Sequence, residues 1–108
     1  MFGKKNSSTR LRWRIMIGIG TDRDGEKIST TWARETAINI ADVLEAYSIT
    51  DGIGAWHGKQ EPSLVIEYIG EEGERDRIDA IADCIRRYLN QEEVWVSEEP
   101  ITLTRFTS

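Results

Sequence analysis

The sequence of 108 residues contains a single cysteine, Cys84, and a single histidine, His57. One cysteine cannot close an internal disulfide, so nothing points to an oxidising compartment. One cysteine and one histidine cannot form a Cys/His zinc site within one chain. No apolar run approaches membrane-spanning length. The opening MFGKKNSSTR has basic residues with no apolar stretch behind them, so it is not expected to be a secretory signal. These absences lead to the expectation of a soluble, cytoplasmic protein.

What is present suits one small domain. Apolar residues make up 39% and charged residues 31%, with the charge spread along the chain rather than run together. The formal net charge of −5 meets repulsion at a phosphate backbone and disfavours a nucleic-acid partner. Residues 1–9 read as a flexible tail and 10–108 as a single folded domain.

The segment RLRWRIMIGIG alternates with period two. Ile15, Ile17 and Ile19 share one face; Arg12, Arg14 and Met16 share the other. From Thr31 to Tyr47 the period becomes helical, with Ala33, Ala37, Ile40, Leu44 and Tyr47 on one stripe. Asp51-Gly52 then predicts a turn and Ile53 to His57 a short strand. Lys59 to Ser63 (KQEPS) predicts a hairpin loop, and Leu64 to Ile69 is the most β-prone run in the chain.

A second helix is expected over about Glu74 to Leu89, with Ile78, Ile81, Ala82, Ile85 and Leu89 as its stripe and Asn90 behind it as a cap. Acidic residues precede this helix and Arg86 and Arg87 end it, which complements its dipole. The last strand region, Val94 to Phe106, is expected to bend or split at Pro100. The order is β-α-β-β-α-β. Two helices with one stripe each cover one face of a four-stranded antiparallel sheet, which gives a ferredoxin-like α+β sandwich.

The uncovered face is then the candidate site. Alternation assigns it Arg12, Arg14, Met16, Trp56, Val65, Glu67, Ile69 and Trp95. Such a face is too apolar to stay wet without a reason. A homodimer contact or another protein partner is the first expectation; it also leaves room for a small-molecule ligand stacked on Trp56 and oriented by Arg14 and Glu67. The same two charges also suit a plain cross-strand ion pair.

Specific chemistry is hard to find. His57 is the natural acid-base candidate, yet no nucleophile or orienting carboxylate stands at a diagnostic spacing from it. Cys84 lies beside the second helix stripe, where a packing role is expected. Gly18, Gly20 and Gly25 fail as a dinucleotide fingerprint because Arg23 holds the third glycine position. Asp22 and Asp24 open like a calcium loop whose closing acid would be Ala33. No metal or cofactor is expected. The run Arg10 to Arg14 mixes basic and aromatic residues, but alternation divides them between two faces, a poor pattern for RNA.

Several landmarks together resemble a family of small bacterial proteins catalogued only as a domain of unknown function. They are Gly20, Asp24-Gly25, Trp32, Gly54 and Trp56, then Glu61-Pro62-Ser63, Gln91 and Val94. The resemblance implies the α+β fold and marks Trp56, and it brings no activity. The leading expectation is a non-enzymatic binding or assembly module that works through its open sheet face. A small dimeric ferredoxin-like enzyme with a site near His57 and Glu67 is the alternative. An acidic phage or mobile-element inhibitor of a basic host protein is the third.

Overall fold

Of the alternating isoleucines, Ile15 and Ile17 lie in strand β1, Ser8–Gly18, and Ile19 follows just past its end. The computed structural model describes residues 8–56 and 58–104, apart from the side chains of Ser8 and Trp56. The expected tail lies outside the described residues up to position 7. Ser8 and Thr9 belong to β1 and pair with Leu103 and Thr102.

Helix α1, Thr30–Ala41, starts one residue after Ser29, whose side chain accepts from the Trp32 amide (3.1 Å) as an N-cap. Its buried stripe is Ala33, Ala37 and Ala41, small enough for the helix to lie close on the sheet. The apolar period continues to Tyr47, but the helix does not. A 3-10 turn over Asp42–Leu44 follows, and Glu45 takes a left-handed φ of 66°. Tyr47 turns its hydroxyl back onto Asp42.

Strand β2 runs Ser48–Trp56 and β3 runs Lys59–Gly70. Both are longer than the sequence predicts, and two turn assignments are corrected. Asp51-Gly52 lies inside β2, opposite Leu64 and Ser63, with Asp51 held by the Arg34 guanidinium from α1. KQEPS is the first part of β3 rather than a loop, and the turn comes just before it at Gly58, which has φ 78°. Pairing decides both cases. Setting Ile49 opposite Ile66 carries the ladder through Asp51 and Gly52 to Trp56 and Lys59, and cross-strand bonds outweigh local turn preference. Pro62 is tolerated because it lies beyond Gly18 and Ser63, the last β1–β3 pair.

A 3-10 turn at Glu72–Glu74, closed by a reciprocal Glu71–Glu74 capping box, leads into α2, Arg75–Tyr88. Asn90, just past its end, has φ 51°, the left-handed conformation of a terminating asparagine. Strand β4, Trp95–Leu103, continues through Pro100 without splitting there, as an edge strand allows.

The sheet order is β2-β3-β1-β4 and every neighbouring pair is antiparallel. With α1 and α2 on one face, this is the ferredoxin-like α+β architecture. Ile15, Ile17, Ile19, Leu64 and Ile66 are buried, as alternation predicts, against Ala33, Ala37, Ile78, Ile81, Ile85 and Leu89. Trp13 joins them and stacks on Tyr68 with ring centroids 6.1 Å apart. Among the described residues no helix is long and apolar enough to cross a membrane.

Candidate functional site

Strand register fixes what the open face carries. Arg12 stands opposite Ile69 and Glu99, Arg14 opposite Glu67 and Ser97, and Met16 opposite Val65 and Trp95. The predicted residues Arg12, Arg14, Met16, Val65, Glu67, Ile69 and Trp95 therefore share one face. The backbone of Trp56 pairs with Lys59 in this register; its side chain, and His57 altogether, lie outside the described residues.

The charges on this face are tied to one another. Arg14 Nε donates to Glu67 (2.9 Å), Arg14 also lies 3.6 Å from Glu99, and Arg12 donates to Glu99. The result is a ladder, Glu67–Arg14–Glu99–Arg12, that crosses β3, β1 and β4. The hydrogen bond from Arg12 holds the Glu99 carboxyl below its ordinary range. Two positive and two negative charges cancel here, within a chain of net charge −5. Around the ladder the face is apolar: Trp95 is 58% exposed and Ile69 41%. The Trp95 indole N–H donates to Glu93 (2.9 Å).

Beside the ladder is a feature that the residue reading missed. Gly18, Ser63 and Gly52 form one row across β1, β3 and β2, and Glu61 and Gly54 begin the next. A Cβ on Gly52 or Gly54 would meet Ser63, at 3.4 and 3.7 Å, so these glycines lie on the same face as that serine. A Cβ on Gly18 would lie 2.5 Å from Glu61 Oε1, and one on Gly20 would lie 3.0 Å from Pro62 Cδ. The glycines thus form a floor almost free of side chains, and the Glu61 carboxylate lies across one edge of it.

The Thr21 hydroxyl donates to Glu61 Oε2 (3.1 Å). Glu61 takes part in no ion pair among the described residues, unlike Glu67 and Glu99. A half-buried carboxylate without a cation partner can face a positive ligand, accept hydrogen bonds from it, or take a proton. The signal was present in the sequence. Extending the β3 alternation backwards from Val65 reaches Ser63 and Glu61, and Gly18-x-Gly20 and Gly52-x-Gly54 repeat at the same period of two.

Two shallow recesses lie elsewhere. One, of about 210 Å³, is bounded by Asp79, Arg86, Val94 and Val96; the other, of about 300 Å³, by Arg10, Glu71 and Arg75. Both fall at or under the low end of the roughly 300–1,000 Å³ typical of ligand pockets, and neither includes the open face. Cys84 is half-buried on α2. No metal-holding group of His, Cys, Asp and Glu occurs among the described residues.

The backbone is similar to that of a phage SAM lyase in its apo state, with TM-score 0.65 and 18% identity over 93% of each chain. The phage SAM lyase in complex with S-methyl-5'-thioadenosine gives TM-score 0.56 and 18% identity, over 88% of this chain and 89% of that one. CPII, a nitrogen regulatory PII-like protein from Thiomonas intermedia K12 bound to ADP, AMP and bicarbonate, gives TM-score 0.57 and 10% identity over 94% and 99%. What these neighbours share with the chain is the fold. No family model matches the chain, and no curated protein matches it. Of the resemblance to a domain of unknown function, the small α+β architecture is what stands.

Proposed function

We propose that this chain is a self-associating binding module whose open sheet face meets a second copy and takes an adenosine-containing small molecule on the glycine floor. The carrying observation is that floor: Gly18, Gly20, Gly52 and Gly54 around Ser63, with the Glu61 carboxylate across it. A flat ring can approach backbone closely where no Cβ intervenes. The floor is open, so a ligand there keeps one side wet until something covers it. A second copy suits that role. An acidic chain repels its like, but the ladder of Arg12, Arg14, Glu67 and Glu99 makes its own part of this face electrically balanced, and Trp95 and Ile69 give it apolar area to bury.

The ligand class draws support from two neighbours of different kinds. One is described with S-methyl-5'-thioadenosine and the other with ADP and AMP, and adenosine is the part these molecules have in common. The test is a native mass spectrum combined with calorimetry against S-methyl-5'-thioadenosine and against AMP. A dimer or higher oligomer that takes up one of them supports the reading. A monomer that binds neither would sink it.

A second reading, lysis of S-adenosylmethionine, is favoured by the even 93% coverage in the alignment with the apo phage SAM lyase. Release of S-methyl-5'-thioadenosine balances when the substrate's own carboxylate attacks its γ-carbon: the new C–O bond closes a lactone as the carbon–sulfur bond breaks, and the electron pair leaves on sulfur. An anion facing the sulfonium would bind such a substrate, and Glu61 is the candidate for that part. Incubation with S-adenosylmethionine followed by mass spectrometry decides this point: S-methyl-5'-thioadenosine formed by the wild type and lost in Glu61→Gln supports lysis, and unchanged substrate removes it.

A further inference from the structure

Among the described residues Gln91 is the buried polar one, at 8% exposure. Its Nε2 donates to the Thr21 carbonyl (2.9 Å) and to the Leu89 carbonyl (3.3 Å). A buried amide costs stability unless its N–H groups are bonded, and here both bonds go to backbone oxygens at loop positions. A residue needed only to fill space would more cheaply be apolar. One of those two oxygens belongs to Thr21, whose hydroxyl on the other side donates to Glu61 (3.1 Å). Thr21 therefore stands between a buried strut and the carboxylate of the glycine floor.

The surrounding backbone makes the strut stiff. The Gln91 amide bonds to the Arg86 carbonyl (2.9 Å), the Arg23 amide bonds to the Asn90 carbonyl (2.8 Å), and the Ile28 amide closes the loop onto Gly20 (3.1 Å). Asn90 adds side-chain bonds to Asp22 (3.3 Å) and Asp24 (2.9 Å). The end of α2 thus grips the loop after β1 at Thr21 and at the three residues that follow it, Asp22, Arg23 and Asp24. Glu61, by contrast, is on a strand past the last β1–β3 pair, and among the described residues its side-chain partner is the Thr21 hydroxyl.

We infer that Gln91 and Thr21 are positioning residues for Glu61: Gln91 sets the place of Thr21, and the Thr21 hydroxyl selects one orientation of the Glu61 carboxylate over Gly18 and Gly20. The inference rests on the reading of that floor as the ligand site, but it can be tested without a ligand. Glutamate-labelled protein is examined by NMR for the Glu61 side-chain carboxyl shift and its rotamer-dependent couplings. The samples are wild type, Thr21→Val, Thr21→Ser, Gln91→Leu and Gln91→Met. One rotamer is expected in wild type and Thr21→Ser, and averaged couplings in Thr21→Val.

The Gln91 variants are the discriminating samples because the Gln91 side chain bonds to Thr21 and Leu89 and not to Glu61. A purely structural glutamine lowers the melting temperature and leaves Glu61 ordered; a positioning glutamine releases Glu61 in whichever variant folds. If neither Gln91 variant folds, the Thr21→Val and Thr21→Ser pair still decides the Thr21 step. Affinity for S-methyl-5'-thioadenosine is measured on the same samples, with a loss of about tenfold expected in Thr21→Val and recovery in Thr21→Ser. Glu61 as ordered in Thr21→Val as in wild type overturns the inference. Glu61 ordered by Thr21 in a protein that binds no adenosine ligand overturns the reading of the floor alone.

Discussion

The indole N–H of Trp13, a core residue, donates to Glu98 (2.7 Å) on β4. Arg75 reaches the same carboxylate from α2 with two bonds, at 2.8 and 2.7 Å. One carboxylate therefore clips an edge strand to both the sheet centre and a helix.

This clip predicts a pH dependence. The bonds from Arg75 first, and from Trp13 second, hold the Glu98 carboxyl down to about 2 from an ordinary 4.5. A carboxyl depressed in the folded state stabilises above its unfolded value and loses that contribution as pH falls through the folded one. The urea midpoint of wild type is expected to exceed that of Glu98→Gln at neutral pH. The gap should close between about pH 4.5 and pH 2. A gap that persists unchanged to pH 2 would contradict the clip.

The two faces of β3 should respond differently to truncation. Ile66 is fully buried, so Ile66→Ala is expected to cost about 2–5 kcal/mol in urea unfolding, through lost transfer and the cavity left behind. Ile69, on the open face, should cost less than about 1 kcal/mol when cut to alanine in the monomer. Equal losses would mean that the open face is not open.

How much of this was legible follows from which interactions are local. Ile15, Ile17 and Ile19, and the α2 stripe of Ile78, Ile81 and Ile85, announce their elements because period and burial agree within one segment. Asp51 and Gly52 do not, because they are extended by partners some distance along the chain: Arg34, Ser63 and Leu64. The same cause hid Glu61. Read as part of KQEPS it is a loop residue; paired opposite Gly54 it lies across a floor built from three strands. The Arg14–Glu67 pair was legible, since opposite residues on adjacent strands follow from alternation, whereas Glu99 as the joint between two arginines needed the β1–β4 register.

Glycine replacements separate the floor from the fold. In Gly18→Ala the new methyl meets the movable end of Glu61, so the protein should fold and melt near wild type while the Glu61–Thr21 bond is displaced. Ligand affinity is expected to fall about tenfold, the equivalent of one lost hydrogen bond to a charged group. In Gly20→Ala the methyl meets Pro62 Cδ at 3.0 Å, part of a ring that cannot swing aside, and a lower melting temperature is expected. Calorimetric melting with binding curves on both variants checks the contrast.

Trp95→Ala tests self-association. The side chain is 58% exposed and donates its indole N–H only to the nearby Glu93, so its loss should leave the melting temperature of dilute monomer nearly unchanged. If the open face meets a second copy, an exposed tryptophan is the type of residue that dominates such contacts, and the dissociation constant should rise by about thirtyfold or more. Sedimentation equilibrium gives the constant. An unaltered constant removes Trp95 from the contact.

Pro100 gives the rim of the sheet a further consequence. It sits within β4, an outer strand, and offers no N–H to a newcomer. Chains cannot add to that rim by an unbroken run of backbone bonds, so side-by-side growth into ribbons is blocked where it would begin. Growth by edge pairing would need both rims, and with this one closed it would stop at two copies joined through β2 rather than run on as a fibre.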